Sequence, residues 1–276
     1  MPLQTWKGQM AERPRKPKKS NAALTGRRVF GHDGRKVPLD HTILFGWHPV
    51  TEALKNPARR FRTLILTENA LRRLQEANIR LPVQPEIVRP DALDKKLTPD
   101  AVHQGLFAVT DALPSPGLHE LALDKLVLVL DQITDPHNFG AIVRTAAAFN
   151  VSAIVTTARH SPEATGVLAK SASGGLEHVP IALVQNLARA MNELKERGFT
   201  LVGLAEEGES DLSEANLKGP VALVLGAEGK GLRQLTRESC DMLARIDLSG
   251  AIKSLNVSNA AALALYVADR AIRVQR

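Results

Sequence analysis

The chain has 276 residues, 44% hydrophobic and 24% charged, enough for two globular units with sizeable cores. Its single cysteine, Cys240, excludes an intrachain disulfide and a Cys-based metal cluster, and suits a reducing compartment; a cytoplasmic protein without a metal is expected. No apolar run approaches the roughly 20 residues that span a bilayer, so no membrane partner is expected.

The formal net charge of +7 is unevenly placed. Residues 1–40 carry ten Lys/Arg against three acids, and the remainder balances 26 against 26. This segment, rich in Pro, Gly and Lys, reads as a disordered basic tail. Such a tail attracts polyanions by counterion release, with little sequence preference; a merely solubilising leader is the plain alternative. A mitochondrial transit peptide fits less well, because the Pro-rich stretch from Arg13 to Lys18 breaks the amphipathic helix it needs.

Residues 41–113 form a small mixed segment. Val50–Leu54 and Leu71–Ala77 read as helices, Thr63–Thr67 and Leu106–Asp111 as strands. Pro114-Ser115-Pro116-Gly117 is a strong breaker, which makes 114–122 a linker. From residue 123 to 276 the pattern alternates. Leu126–Leu130 (LVLVL) is an apolar run of buried-strand type, followed by a helix from about Phe139 to Phe149. Next come a strand at Ala153–Thr156, a helix at Ala164–Ala172, a strand at Val179–Leu183 and a helix at Leu187–Arg197. Thr200–Leu204 and Val221–Leu225 (VALVL) are strands, Leu232–Cys240 a helix, Ala244–Leu248 a strand and Val257–Val274 the closing helix. Strands without polar alternation, interleaved with helices, imply an α/β fold with a parallel sheet covered on both faces.

In such sheets ligands bind beyond the carboxyl ends of the strands. Three segments lie there. In the first, 131–144, Asp135-Pro136 signals a turn and Asn138 reads as a helix N-cap, with Arg144 six residues on. In the second, 226–232, Gly226, Gly229 and Gly231 let backbone approach a ligand, and Glu228 is an unusual insertion. The spacing is neither the dinucleotide fingerprint nor a P-loop, since Lys230 precedes Gly231. In the third, 253–261, Ser254, Asn256, Ser258 and Asn259 supply four short polar side chains within six residues, more than one cap needs. A capped helix, a tight turn and a surplus cap are the plain readings of the three segments taken singly.

Together, in this order and each after a strand, the three segments resemble the signature motifs of the SpoU/TrmH family of RNA 2′-O-ribose methyltransferases, of the SPOUT class. The resemblance runs from Leu126 to about Arg273. The opening Gly46-Trp47-His48-Pro49-Val50-Thr51-Glu52-Ala53-Leu54 is similar to the start of that family's small RNA-binding domain. The arrangement is closest to bacterial large-subunit rRNA guanosine methyltransferases. The resemblance implies a parallel α/β domain with a C-terminal trefoil knot, S-adenosylmethionine as cofactor, RNA as substrate and a homodimer. It implies a catalytic set of Asn138, Arg144, Glu228, Ser254 and Asn256, with Asn138 and Glu228 orienting Arg144. It implies cofactor contacts at Gly226, Ile246 and Leu255, joined by Leu204, Ala205, Leu225, Gly231 and Asn256.

A guanidinium carries five donors and no acceptor, so Arg144 suits hydroxyl positioning and oxyanion stabilisation better than a literal base role. Two other classes stand beside this reading. A nucleotide-cofactor oxidoreductase would share the parallel sheet, but the first strand lacks a following GxGxxG. A non-catalytic RNA-binding protein would share the tail, but the motif residues are intact. Whether the target is a guanosine of 23S rRNA or a tRNA nucleotide stays open at this level.

Overall fold

The computed structural model describes residues 41–98, 101–162 and 165–274. The tail reading for 1–40 and the helix start at Ala164 lie outside the described residues.

The first unit runs β1 (His41–Phe45), α1 (Trp47–Lys55), β2 (Phe61–Leu66), α2 (Glu68–Glu76), β3 (Glu86–Ile87), α3 (Pro90–Asp94) and β4 (Leu106–Asp111). Its four strands form one sheet in the order β1-β4-β2-β3. β4 runs antiparallel to both neighbours, and β3 adds parallel to β2. Leu44, Leu64, Leu66, Leu106 and Ala108 point to one face, where Val50, Ala53, Ala70 and Leu74 cover them. Ala169, from the second unit, completes this core. β1, β3 and α3 carry no signal in the sequence, being two to five residues long and too short to show a period.

A 3₁₀ turn (Leu118–Glu120) lies within the stretch expected to be a linker. The second unit follows as β5 (Leu126–Asp131), α4 (Pro136–Ala148), β6 (Ala153–Thr157), α5 (Gly166–Ala172), a 3₁₀ turn (Gly175–Glu177), β7 (Ile181–Val184) and α6 (Leu187–Glu196). It continues with β8 (Thr200–Leu204), β9 (Ser210–Asp211), β10 (Val221–Gly226), α7 (Gln234–Glu238), β11 (Met242–Arg245) and α8 (Val257–Val274). The strands make a seven-stranded sheet, β7-β6-β5-β10-β8-β11-β9, parallel throughout.

The unbroken apolar runs are explained by two cores. Leu126, Leu128 and Leu130, with Leu223 and Leu225, face Phe139, Ile142 and Val143 of α4 and Ala261, Ala264 and Leu265 of α8. Val127 and Val129, with Ala222 and Val224, face Leu187, Met191 and Leu194 of α6. Successive strand residues point to opposite faces, and here both faces are dry. Each fully buried Leu or Val side chain contributes roughly 1.5–3 kcal/mol.

Several boundaries differ from expectation for local reasons. α4 begins at Pro136, and its N-cap is Asp135, whose carboxylate accepts from His137 N at 2.8 Å. Proline suits the first helical position because its missing N–H has no partner there anyway. Asn138 therefore lies inside the helix and is not its cap. β11 ends at Arg245, not Leu248, because Asp247 N donates instead to the Asp211 carboxylate at 2.8 Å. α7 starts two residues after Leu232, since Arg233 is held by Asp131. β7 starts after Pro180.

Candidate active site

Asp131 closes β5 and pairs in register with Gly226 at the end of β10. It is 1% exposed and accepts from Arg233 N at 3.1 Å and Arg233 Nε at 2.7 Å. The buried carboxylate thus fastens the far end of the glycine loop to the strand beside its near end. Within the loop, Gly231 N donates to Ala227 O at 2.8 Å. A Cβ on Gly226 would lie 2.2 Å from the Gly231 carbonyl carbon, so only glycine permits this fold-back. Gly229 and Gly231 hold φ of 75° and 63°, the left-handed region that favours glycine.

That turn presents Glu228 outward, where the three sequence segments meet. Asn256 Nδ2 donates to Asn138 Oδ1 at 2.9 Å and to Glu228 Oε2 at 3.3 Å. Asn256 Oδ1 accepts from Ser258 N at 2.9 Å and Ser258 Oγ at 2.6 Å, which caps the first turn of α8. One side chain therefore ties α4, the glycine loop and α8 together. A cavity of about 540 Å³ opens beside this cluster of hydrogen bonds, lined by Gln132, Asp135, Asn138, His160, Glu228 and Lys230 among others. Gln132 holds a φ of 61°, an uncommon conformation for a non-glycine residue, at the turn that enters this cavity.

The other two expected catalytic residues stand apart. Arg144 is exposed, and its side chain forms no hydrogen bond or ion pair among the described residues. Six residues along an α-helix is roughly 9 Å of rise and about 120° of rotation, so Arg144 and Asn138 occupy different faces of α4. Asn138 and Glu228 are bonded to Asn256, and the expected orientation of Arg144 by that pair does not occur in the free chain. Ser254 is exposed in the loop before α8.

Of the expected cofactor residues, Leu204, Ala205, Leu225, Gly226 and Ile246 lie at or next to the ends of neighbouring strands. Register between β10 and β8 (Val224 with Gly203) and between β11 and β8 (Leu204 with Ala244) sets the three ends side by side. Leu204, Ala205, Gly226, Ile246 and Leu255 are half-buried, whereas Leu225 is buried within the strand and Gly231 exposed. Ala205 N donates to Ala244 O at 3.0 Å, and a Cβ on Gly208 would lie 2.4 Å from the Ala244 carbonyl carbon. This close approach folds the segment after β8 against β11. Around Ile246, Asp211 accepts from Ser213 Oγ at 2.5 Å, Ser213 N at 2.9 Å and Asp247 N at 2.8 Å. The Ser213 hydroxyl foremost, with those N–H groups, holds the Asp211 carboxyl below its ordinary pKa. Half-exposed apolar side chains beside accessible strand-end backbone fit a nucleoside, whose base face takes apolar contact and whose polar edges take backbone hydrogen bonds.

Arg233 and Asp211 belong to no motif that the sequence offers, and Asp131, which opens the first segment, receives no role from it. A carboxylate directly after LVLVL is the one available signal, and its partner lies 102 residues away. Among the described residues, no three His, Cys, Asp or Glu side chains are grouped to hold a metal ion. No described helix is long and apolar enough to cross a membrane.

Residues 125–266 match the family model described as the SpoU rRNA Methylase family. Residues 43–116 match the model described as RNA 2′-O ribose methyltransferase substrate binding. The 23S rRNA (guanosine-2′-O-)-methyltransferase RlmB of Ralstonia nicotianae is 41% identical over 243 residues, spanning 83% of this chain and 95% of that protein. Its Vibrio cholerae counterpart is 38% identical over 244 residues, spanning 84% and 98%. Among solved structures, the SpoU methyltransferase AviRb from Streptomyces viridochromogenes, in complex with the cofactor AdoMet, is similar at a TM-score of 0.70 and 25% identity, with 84% of this chain and 90% of that one covered. With matched models over both units and relatives matching over most of its length, the chain belongs to the SpoU rRNA methylase family.

Proposed function

We propose that this chain transfers a methyl group from S-adenosylmethionine to the ribose 2′-hydroxyl of a guanosine in 23S rRNA, within the peptidyl-transferase region. The observation that carries the reading is the convergence of Asn138, Glu228 and Asn256, from three separate segments, beside a cavity at the strand ends. Relatives named for this reaction match both units of the chain, which supports rRNA over tRNA as substrate. Residues 41–113 serve as the RNA-binding domain, 114–122 as linker, 123–276 as the methyltransferase domain and 1–40 as the basic tail.

S-adenosylmethionine, when bound, supplies an electrophilic methyl on a sulfonium. Gly226, Ile246 and Leu255 hold it through backbone groups, with Leu204 and Ala205 lining the slot and Leu225, Gly231 and Asn256 supporting it. Arg144 positions the 2′-hydroxyl and stabilises the negative charge that develops on its oxygen. Its exposed guanidinium is available for this role. Asn256 fixes the relative placement of the segments bearing Asn138 and Glu228, and Ser254 shapes the target pocket.

The trefoil knot belongs to this proposal. Its support is the placement of β10, late in the chain, between β5 and β8, with α8 returning across α4. So does the homodimer. α8 exposes Leu263 and Tyr266, at 45% and 53%, one turn apart on the helix, an apolar pair of the kind a second copy covers. A cytoplasmic location follows from the rRNA substrate.

The test is Arg144→Ala, assayed with radiolabelled cofactor and rRNA. Transfer is expected to fall by about 10²-fold or more, with cofactor affinity within about threefold of the parental value. Methylation at the parental rate would remove Arg144 from the mechanism. Mapping 2′-O-methyl sites in rRNA and tRNA, with and without the protein, identifies the nucleotide.

A further inference from the structure

The two units meet across a buried ion pair that the chemistry above does not use. Arg59 and Glu177 expose 1% and 2% of their side chains. Arg59 Nη2 donates to Glu177 Oε1 at 2.6 Å and Nε to Oε2 at 3.2 Å, a bidentate fork. Arg59 Nη1 donates to Asp111 O at 3.0 Å, and Asn56 Nδ2 to Glu177 Oε2 at 2.7 Å. A cavity of about 650 Å³, lined by Arg59, Glu177 and Pro114 among others, opens beside the pair, and the units touch closely at two further points. A Cβ on Gly174 would lie 2.5 Å from Glu52 Cγ, and one on Gly166 would lie 2.8 Å from the Phe45 ring.

The turn that ends in Glu177 rests directly on α4. A Cβ on Gly175 would come within 2.9 Å of Val143 O and 3.1 Å of Arg144 Cα. Two residues therefore separate Glu177 from the backbone of the arginine assigned to the reaction. α5 makes a parallel link: a Cβ on Gly140 of α4 would lie 2.6 Å from Leu168 O and from Ser171 Cβ, and Gly166, at the start of α5, meets β1. Through these two paths a turn of the small domain is passed on to α4.

A buried ion pair is a weak source of net stability, because desolvating both charges offsets most of their attraction. Its geometry, however, is demanding: the fork is satisfied in one relative orientation of the two units and lost in others. We propose that Arg59 and Glu177 are positioning residues, which hold the RNA-binding domain in one orientation on the methyltransferase domain so that bound RNA is presented to Arg144. The proposal rests on the transfer reaction assigned above, and adds to it how the two domains share one substrate.

The test uses the full chain carrying Arg59→Met together with Glu177→Met. This removes both charges and leaves neither unpaired. Methyl transfer, rRNA binding and S-adenosylmethionine binding are measured beside the parental protein. Spin labels at the exposed positions Gln75 and Glu196, in a Cys240→Ser background, report the distance between the units. The expected result is a broadened distance distribution and a kcat lowered about tenfold or more, with both affinities within about threefold. A single narrow distance, or a parental kcat, overturns the proposal. Should the double variant fail to fold, Glu177→Gln, which keeps the side-chain shape, is read by the same two measurements. An inactive parental protein would overturn the methyltransferase reading instead, and the distance distribution would still decide the role of the pair.

Discussion

Asn256 joins a structural duty to a functional one. Its carbonyl oxygen caps α8 through Ser258, and its amide N–H₂ group holds Asn138 and Glu228. Asn256→Ala should cost about 1 kcal/mol for the missing cap. The loss of catalysis should exceed what that destabilisation explains, because the three segments lose their common fastening. Chemical denaturation beside the transfer assay separates the two effects. Asn256→Asp retains the capping oxygen but sets a carboxylate against Glu228, so stability near the parental value with low activity is expected. Cys240 behaves differently. Burial first of all pushes its thiol up to about 12, so almost no thiolate exists at neutral pH. Iodoacetamide should label the folded protein slowly at pH 8 and rapidly only after denaturation, as mass spectrometry can follow.

At the scale of elements, α4 is the central support. It buries Phe139, Ile142 and Val143 against the sheet, carries Asn138 and Arg144, and is crossed by α8. Its contact with α5 is governed by Gly140, where a Cβ would lie 2.6 Å from Leu168 O and from Ser171 Cβ. A backbone carbonyl cannot swing aside as a side-chain tip can. Gly140→Ala should therefore part the two helices and destabilise by roughly 1–3 kcal/mol, despite alanine's better helix propensity. A melting temperature at or above the parental value would show that the interface yields at no cost. The sheet elements are the most legible in the sequence, since LVLVL and VALVL are dry on both faces. α8 runs over Val257–Val274, the range expected for the closing helix. In the sequence Asn138 reads as the cap of α4 and Asp135-Pro136 as a turn; in the fold Asp135 is the cap, because Pro136 occupies the first helical position.

At the scale of the whole molecule, charge and chemistry are segregated. The excess of positive charge lies in residues 1–40, and the rest of the chain is balanced. Deleting these residues should weaken rRNA binding and flatten the slope of log affinity against log salt, by nearly one unit for each phosphate no longer neutralised. An unchanged slope in filter binding across a salt series would leave the tail without a part in RNA binding. Transfer at saturating RNA should be retained, because every residue assigned to the reaction lies beyond position 137.

The parallel α/β class, the three strand-end segments and the family resemblance can all be read from the amino-acid sequence, because each rests on local periodicity or a short motif. How the three segments meet cannot. Asn138 and Asn256 are 118 residues apart, as are Arg59 and Glu177, and Asp131 and Arg233 are 102 apart. No local pattern records such pairings, because each is made when the strand order brings distant ends together. The folded chain also sets Arg144 on a different face of α4 from Asn138, since six residues fall short of two full helical turns.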